Sequence, residues 1–197
     1  ALLLVIAVTI LVMSYVPVVR EKTQGSLRYL LLFALALAPL LLAGWLLESG
    51  QAALNSPLIV AMVAAAFAIL LAGFPFYIWV YPIVADAPFL VPGLIFGLAQ
   101  TGTIILIFSL LHANPWLQEN SQFQNWLVWS GTGTVLVATL LVFTAAKWRF
   151  LWGHLLMLNM GMSLLTLTMP LQAAGNVAIL FHLTRFISLL FAGIALS

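Results

Sequence analysis

Residues 70–111 read LLAGFPFYIWVYPIVADAPFLVPGLIFGLAQTGTIILIFSLL, two apolar segments joined by a short loop. Pro75 lies near the end of the first segment. Prolines and glycines crowd the start of the second, at Pro88, Pro92, Gly93 and Gly97. Membrane helices tolerate such residues because neighbouring helices and polar side chains can bond the backbone groups that proline leaves free. The stretch therefore predicts two membrane spans, the first of them broken near Gly73 and Pro75.

The composition predicts the same class for the whole chain. Hydrophobic residues make up 65% of the 197 residues and charged residues only 5%, too few to cover the surface of a soluble domain. Apolar runs long enough to cross about 30 Å of hydrocarbon recur throughout. We expect an all-α, polytopic transmembrane helix bundle of about seven spans. They run near Leu2–Val19, Tyr29–Leu47, Leu58–Val80, Pro88–Leu111, Trp126–Ala146, Phe150–Leu171 and Val177–Leu196.

The basic residues predict an orientation. They concentrate in two loops, with Arg20, Lys22 and Arg28 after the first span and Lys147 and Arg149 after the fifth. Both loops fall on one side, so the positive-inside rule places the N-terminus outside and the C-terminus inside. Aromatic residues at the predicted interfaces fit an anchoring belt: Trp45, Trp79, Tyr81, Trp116, Trp126, Trp129 and Trp148.

We expect residues 1–197 to form a single transmembrane domain. The chain opens at Ala1 inside an apolar run, without an initiator Met or a basic flank, so we expect it to be an internal part of a longer chain. The net charge of +2 rests on only six Lys/Arg and four Asp/Glu, and it gives no indication of nucleic-acid binding. The expected surroundings of the spans are lipid.

Polar residues at membrane depth are the candidate ion-path residues: Gln100, His154, Asn159, His182 and Arg185. Arg185 lies about 12 Å into the last span, where an arginine costs roughly 2.5–3.5 kcal/mol on insertion scales. Together the five could form a polar line near mid-depth. Equally, Gln100 and Asn159 could be hydrogen-bonding contacts between helices, and His154 an interfacial histidine. The Gly93-xxx-Gly97 pair predicts a close helix contact, and Pro75 either a simple kink or a discontinuous helix.

Several residue types are missing from the predicted spans. Glu48 and Glu119 fall in outer loops and Asp86 in an inner loop, so no span carries an acid, and no lysine is buried. The chain has no cysteine, which excludes disulfides and Cys-ligated clusters. No metal-ligand spacing, phosphate loop or catalytic set is present. We therefore expect no catalytic residues, metal or cofactor, and the sequence leaves an enzymatic role uncertain.

GFPFYIWVYPIVADAPFLVPGLIFGLAQTG resembles the signature of the antiporter-like membrane subunits shared by respiratory complex I, its photosynthetic relatives and Mrp-type cation/proton antiporters. AAKWRFLWGHLLMLNMGMSLL and AILFHLTRFISLLFAGIALS are similar to later segments of that family. The resemblance implies spans five to eleven of a longer subunit, in the membrane arm of an NAD(P)H-quinone oxidoreductase-type translocase. It also implies a bacterial cytoplasmic, thylakoid or organellar inner membrane, and other integral membrane subunits as partners.

The chain departs from the family where protons are carried. The family's central lysines fall on Leu70 and Gln100, the histidine of its "PFH" run on Tyr77, and its glutamate on apolar residues near Val5. A glutamine cannot take up a proton near neutral pH, so the family's Lys–Glu relay cannot run through these positions.

Three functions remain open. The first is a divergent antiporter-like subunit with a structural or assembly role and a degenerate proton path. The second is an active proton- or cation-translocating subunit that uses His182, Arg185 and His154. The third is a carrier of a neutral solute, with Gln100 and Asn159 as hydrogen-bonding contacts.

Overall fold

The computed structural model describes residues 24–49 and 56–169, together with residues 180–182, 184, 185, 187–189, 191, 192, 194 and 195. All regular secondary structure in these residues is helical. The helices are α1 (Gln24–Glu48), α2 (Ser56–Leu70), α3 (Val80–Asp86), α4 (Leu90–Ala113), α5 (Pro115–Glu119), α6 (Ser121–Thr144), α7 (Trp148–Thr166) and α8 (Leu180–Leu189). A 3₁₀ turn, Phe76–Trp79, precedes α3, and α4 contains one π-helical turn at Ile95–Ala99.

Three of these helices are long and apolar enough to cross a membrane. They are α4, α6 and the Leu27–Glu48 part of α1. They indicate a helical membrane protein. The number of seven spans stays a prediction. Leu2–Val19 lies outside the described residues, and so do the first residues of Val177–Leu196. The third predicted span is divided, because α2 has only 15 residues, whereas a span needs about 20.

The division follows from how α2 ends. Ala72 adopts a left-handed conformation with φ 52°, which costs an L-residue about 1–2 kcal/mol. The N–H of Gly73 donates to the carbonyl of Ala68 at 2.8 Å, and the N–H of Ala72 to that of Ile69 at 3.4 Å. This pair of bonds is the Schellman motif that terminates helices. Pro75 follows after a cis Phe74–Pro75 bond. Gly73 and Pro75 thus both lie in the connection between α2 and the 3₁₀ turn.

Trp79 lies at the centre of the core and is 1% exposed. Its ring stacks on Phe96 of α4 at 5.4 Å between centroids and lies 4.9 Å from Tyr29 of α1. Its indole N–H donates to the carbonyl of Ile69, near the end of α2, at 3.1 Å. The expectation that Trp79 belongs to an interfacial belt is therefore wrong, since the residue joins three helices instead.

Helices α6 and α7 pack along each other at very close range. A Cβ atom added to Gly161 of α7 would lie 2.9 Å from the backbone oxygen of Gly131 and 2.9 Å from the backbone nitrogen of Val135, both in α6. Only glycine leaves room for this approach, as in other small-residue contacts between membrane helices.

Charged side chains join helix ends at one end of the bundle. Asp86, at the end of α3, accepts the N–H of Gly25 in the first turn of α1 at 3.2 Å. The Nη1 atom of Arg149, in the first turn of α7, lies 3.2, 2.9 and 2.9 Å from the carbonyl oxygens of Val84, Ala85 and Ala87. A carboxylate at a helix start and a cation at a helix end both complement the helix dipole. We call this region, which contains Arg28, Asp86 and Arg149, the basic end.

Candidate functional site

Arg185 is the most unusual polar residue of the interior. It is 4% exposed, and its guanidinium reaches two other helices. Nη1 donates to Ser163 Oγ of α7 at 2.6 Å, and Nη2 donates to the carbonyl of Phe96 in α4 at 3.1 Å. Nη2 also contacts the Met160 sulfur at 3.3 Å. Every one of these partners is neutral, so Arg185 ties α8 to α4 and α7 without forming an ion pair through these bonds.

The π-helical turn explains why a carbonyl of α4 is available to Arg185. The N–H of Gln100 bonds the carbonyl of Ile95, five residues earlier, rather than that of Phe96. The proline-rich start of α4 perturbs the ladder further, since Pro92 has no N–H to donate to Pro88. The Pro88 carbonyl instead accepts from Val91 at 3.0 Å. Phe96 O lies inside the π-helical turn, where irregular backbone bonding is common at functional sites.

Gln100 completes the broken end of α2. Its side chain is 1% exposed, and its Nε2 donates to the carbonyl of Leu70 at 2.7 Å. In an uninterrupted helix the Leu70 carbonyl would accept the N–H of Phe74. Gln100 supplies the missing donor from α4, while its Oε1 is buried without a hydrogen-bond partner.

Two hydroxyl residues of α6 bond the other side of the same break. Thr134 Oγ1 accepts the N–H of Phe74 at 2.8 Å and donates to the carbonyl of Ser130 at 2.6 Å. Ser130 Oγ donates to the carbonyl of Phe74 at 3.3 Å. The backbone groups released at the break are thus bonded by side chains of α4 and α6, as required where no water competes.

The two histidines are buried but take little part in these contacts. His182 is 3% exposed, and both of its ring nitrogens lack hydrogen-bond partners. His154 is 1% exposed, its Nδ1 has no partner, and its ring lies 5.4 Å from that of Tyr81. Among the described residues, no hydrogen bond joins Gln100, His154, Asn159 and His182 to one another.

The remaining predicted residues have identifiable places. Asn159 is half-buried in α7, and its backbone carbonyl accepts the Ser163 hydroxyl at 2.9 Å. Gly93 and Gly97 are both buried in α4, with Gly97 inside the π-helical turn. The described part of the chain has no group of three or more His, Asp or Glu residues placed to hold a metal ion.

Sequence reasoning missed the hydroxyl residues. Ser130 and Thr134 are four residues apart, so they share a helical face, and Ser163 stands four residues after Asn159. That spacing indicates polar residues on one face of each helix, where they can bond a neighbouring helix. The acceptor role of the Phe96 carbonyl had no such signal, because it depends on the backbone of the π-helical turn rather than on a residue type.

Comparisons with known proteins identify no relative: no family model, curated protein or solved structure matches the chain.

Proposed function

We propose that this protein is a divergent antiporter-like integral membrane subunit, with a structural or assembly role in a larger membrane complex and a degenerate proton path. The observation that carries the proposal is the set of partners of its deepest polar groups. Arg185 and Gln100 bond backbone carbonyls, a hydroxyl and a thioether, which stabilise helix contacts. The acids of the sequence, Glu21, Glu48, Asp86 and Glu119, all lie outside the predicted spans.

A proton path needs groups that exchange protons along a line. The amide of Gln100 cannot do so near neutral pH, and an arginine remains protonated in proteins. Gln100 bonds the Leu70 carbonyl at the end of α2, and Arg185 bonds the Phe96 carbonyl in the π-helical turn. Removing either would disturb the scaffold first, as expected of structural groups.

Ion translocation is a second candidate function, which the histidines favour. His154 and His182 are buried with unpartnered ring nitrogens, and these could exchange protons if water reached them. A neutral-solute carrier is favoured only by the unpartnered Oε1 of Gln100 beside the broken helix.

Reconstitution separates these candidates. Purified protein would be placed in vesicles that contain a pH-sensitive dye and challenged with proton and sodium gradients. We expect fluxes equal to those of protein-free vesicles. A flux that depends on His182, measured with His182→Gln and with Thr184→Ala as an exposed control on the same helix, would favour translocation instead.

The membrane complex itself can be identified by mild solubilisation followed by mass spectrometry of copurifying proteins. We expect stoichiometric integral membrane partners. Recovery of the chain alone from native membranes, at full yield and stably folded, would contradict an assembly role.

A further inference from the structure

A cavity of about 420 Å³ opens at the basic end. Its walls come from α1, the 3₁₀ turn, α3 and α7, and include Arg28, Ile78, Tyr81, Ala85, Asp86 and Phe150. Its volume falls in the range typical of small-molecule sites. The hydrogen bonds of Arg185 and Gln100 described above do not involve its lining residues.

The cation of the cavity lining, Arg28, favours an anionic ligand. Arg28 is exposed, whereas the Asp86 carboxylate bonds the N–H of Gly25 at the start of α1. The helix dipole offsets part of that negative charge. A second cation lies beside the lining, because Nη1 of Arg149 bonds the carbonyl of Ala85 at 2.9 Å. An anion at the cavity therefore meets a net positive field.

Part of the lining is apolar or aromatic and exposed. Ile78 is 68% exposed and Tyr81 is 41% exposed. The Tyr81 ring stacks on Phe150 at 4.9 Å between centroids, which makes a flat aromatic wall. Tyrosines of this kind lie at the headgroup level of membranes, with the ring toward the acyl chains.

We propose that this cavity binds the headgroup of an anionic glycerophospholipid, with Arg28 at the phosphate and Ile78 and Tyr81 beside the acyl chains. The combination of a cation and an outward apolar wall matches an amphiphile better than a free ion. Basic pockets between membrane helices bind anionic lipid headgroups in the same way.

Native mass spectrometry of the detergent-solubilised protein tests this directly, by titration with phosphatidylglycerol or phosphatidylcholine. We expect phosphatidylglycerol to bind about fivefold more tightly, and Arg28→Gln to remove that difference. Arg28→Lys should keep most of it. Lys147→Gln removes an exposed charge from the same end, outside the cavity lining, and should change the affinity by less than about twofold.

A variant that leaves the charge unchanged tests the cavity itself. Ala85→Phe fills the space and should weaken binding of phosphatidylglycerol as much as Arg28→Gln, with equal thermal stability in detergent. Equal losses for Lys147→Gln and Arg28→Gln would overturn the proposal in favour of diffuse surface attraction. Displacement of the lipid by an equal concentration of inorganic phosphate would overturn the assignment to a lipid.

Discussion

The Nη1 atom of Arg185 lies 2.6 Å from Ser163 Oγ, and that hydroxyl donates in turn to the backbone carbonyl of Asn159 at 2.9 Å. The short chain of bonds links a buried cation of α8 to the backbone of α7. Because Ser163 accepts a hydrogen bond from a charged donor, loss of its hydroxyl should lower the stability of the protein more than loss of an ordinary hydroxyl.

Ser163→Ala is expected to destabilise the protein by about 1.5–3 kcal/mol, the usual range for a hydrogen bond to a charged group. It leaves Nη1 of Arg185 without its closest acceptor. Ser188→Ala is the matched control, since Ser188 is exposed and, among the described residues, bonds just the Thr184 carbonyl of its own helix. Thermal unfolding in detergent, followed by tryptophan fluorescence, measures both. Equal stability of the two variants would show that the Arg185 contact contributes little.

Thr134→Val should cost about 0.5–1.5 kcal/mol, the usual net contribution of one hydrogen bond, because it removes the acceptor of the partly buried N–H of Phe74 at the break after α2. Thr134→Ser keeps the hydroxyl and should retain most of the stability. Thr139→Val is the control in α6, since within the described part of the chain its hydroxyl bonds just the Val135 carbonyl one turn earlier. If Thr139→Val proved as harmful as Thr134→Val, the effect would belong to α6 alone and not to the broken helix.

Gly161→Ala is expected to destabilise the protein by about 1–3 kcal/mol through overpacking, because the added Cβ meets backbone atoms of α6 that cannot move aside. Gly44→Ala provides the opposite case. A Cβ at Gly44, inside α1, has nothing within 4 Å. That change should be neutral or stabilising by up to about 1 kcal/mol. The same unfolding assay measures the stability of both variants, and a harmless Gly161→Ala would contradict the close approach of α6 and α7.

Much of the fold could be predicted from hydropathy and proline placement. Apolar runs predict α4, α6 and the Leu27–Glu48 part of α1. Gly73 and Pro75 predict an irregular backbone at the place where α2 ends. The span count is harder to predict, because a run such as Leu58–Val80 looks continuous in hydropathy even though the helix ends at Leu70 and Ala72 is left-handed. Trp79 shows the same difficulty. An aromatic residue near a predicted interface can equally be the centre of the core.

The sequence predicts which residues of the candidate site are polar and buried, but it does not predict their hydrogen-bond partners. Depth and polarity alone single out Gln100 and Arg185. Their partners, the carbonyls of Leu70 and Phe96, are backbone groups released by a helix end and a π-helical turn. No sequence pattern specifies which carbonyl is released, since that depends on how neighbouring helices pack.

The most direct test replaces Arg185 in the native membrane complex. Arg185→Ala and the larger, apolar Arg185→Met would be compared with the unaltered protein for two quantities, the amount of assembled complex and the ion flux per assembled complex. We expect Arg185→Ala to lower the amount of assembled complex severalfold, with less loss for Arg185→Met and an unchanged flux per complex. Normal assembly with abolished flux in both variants would contradict a structural role for Arg185 and establish it as part of an ion path.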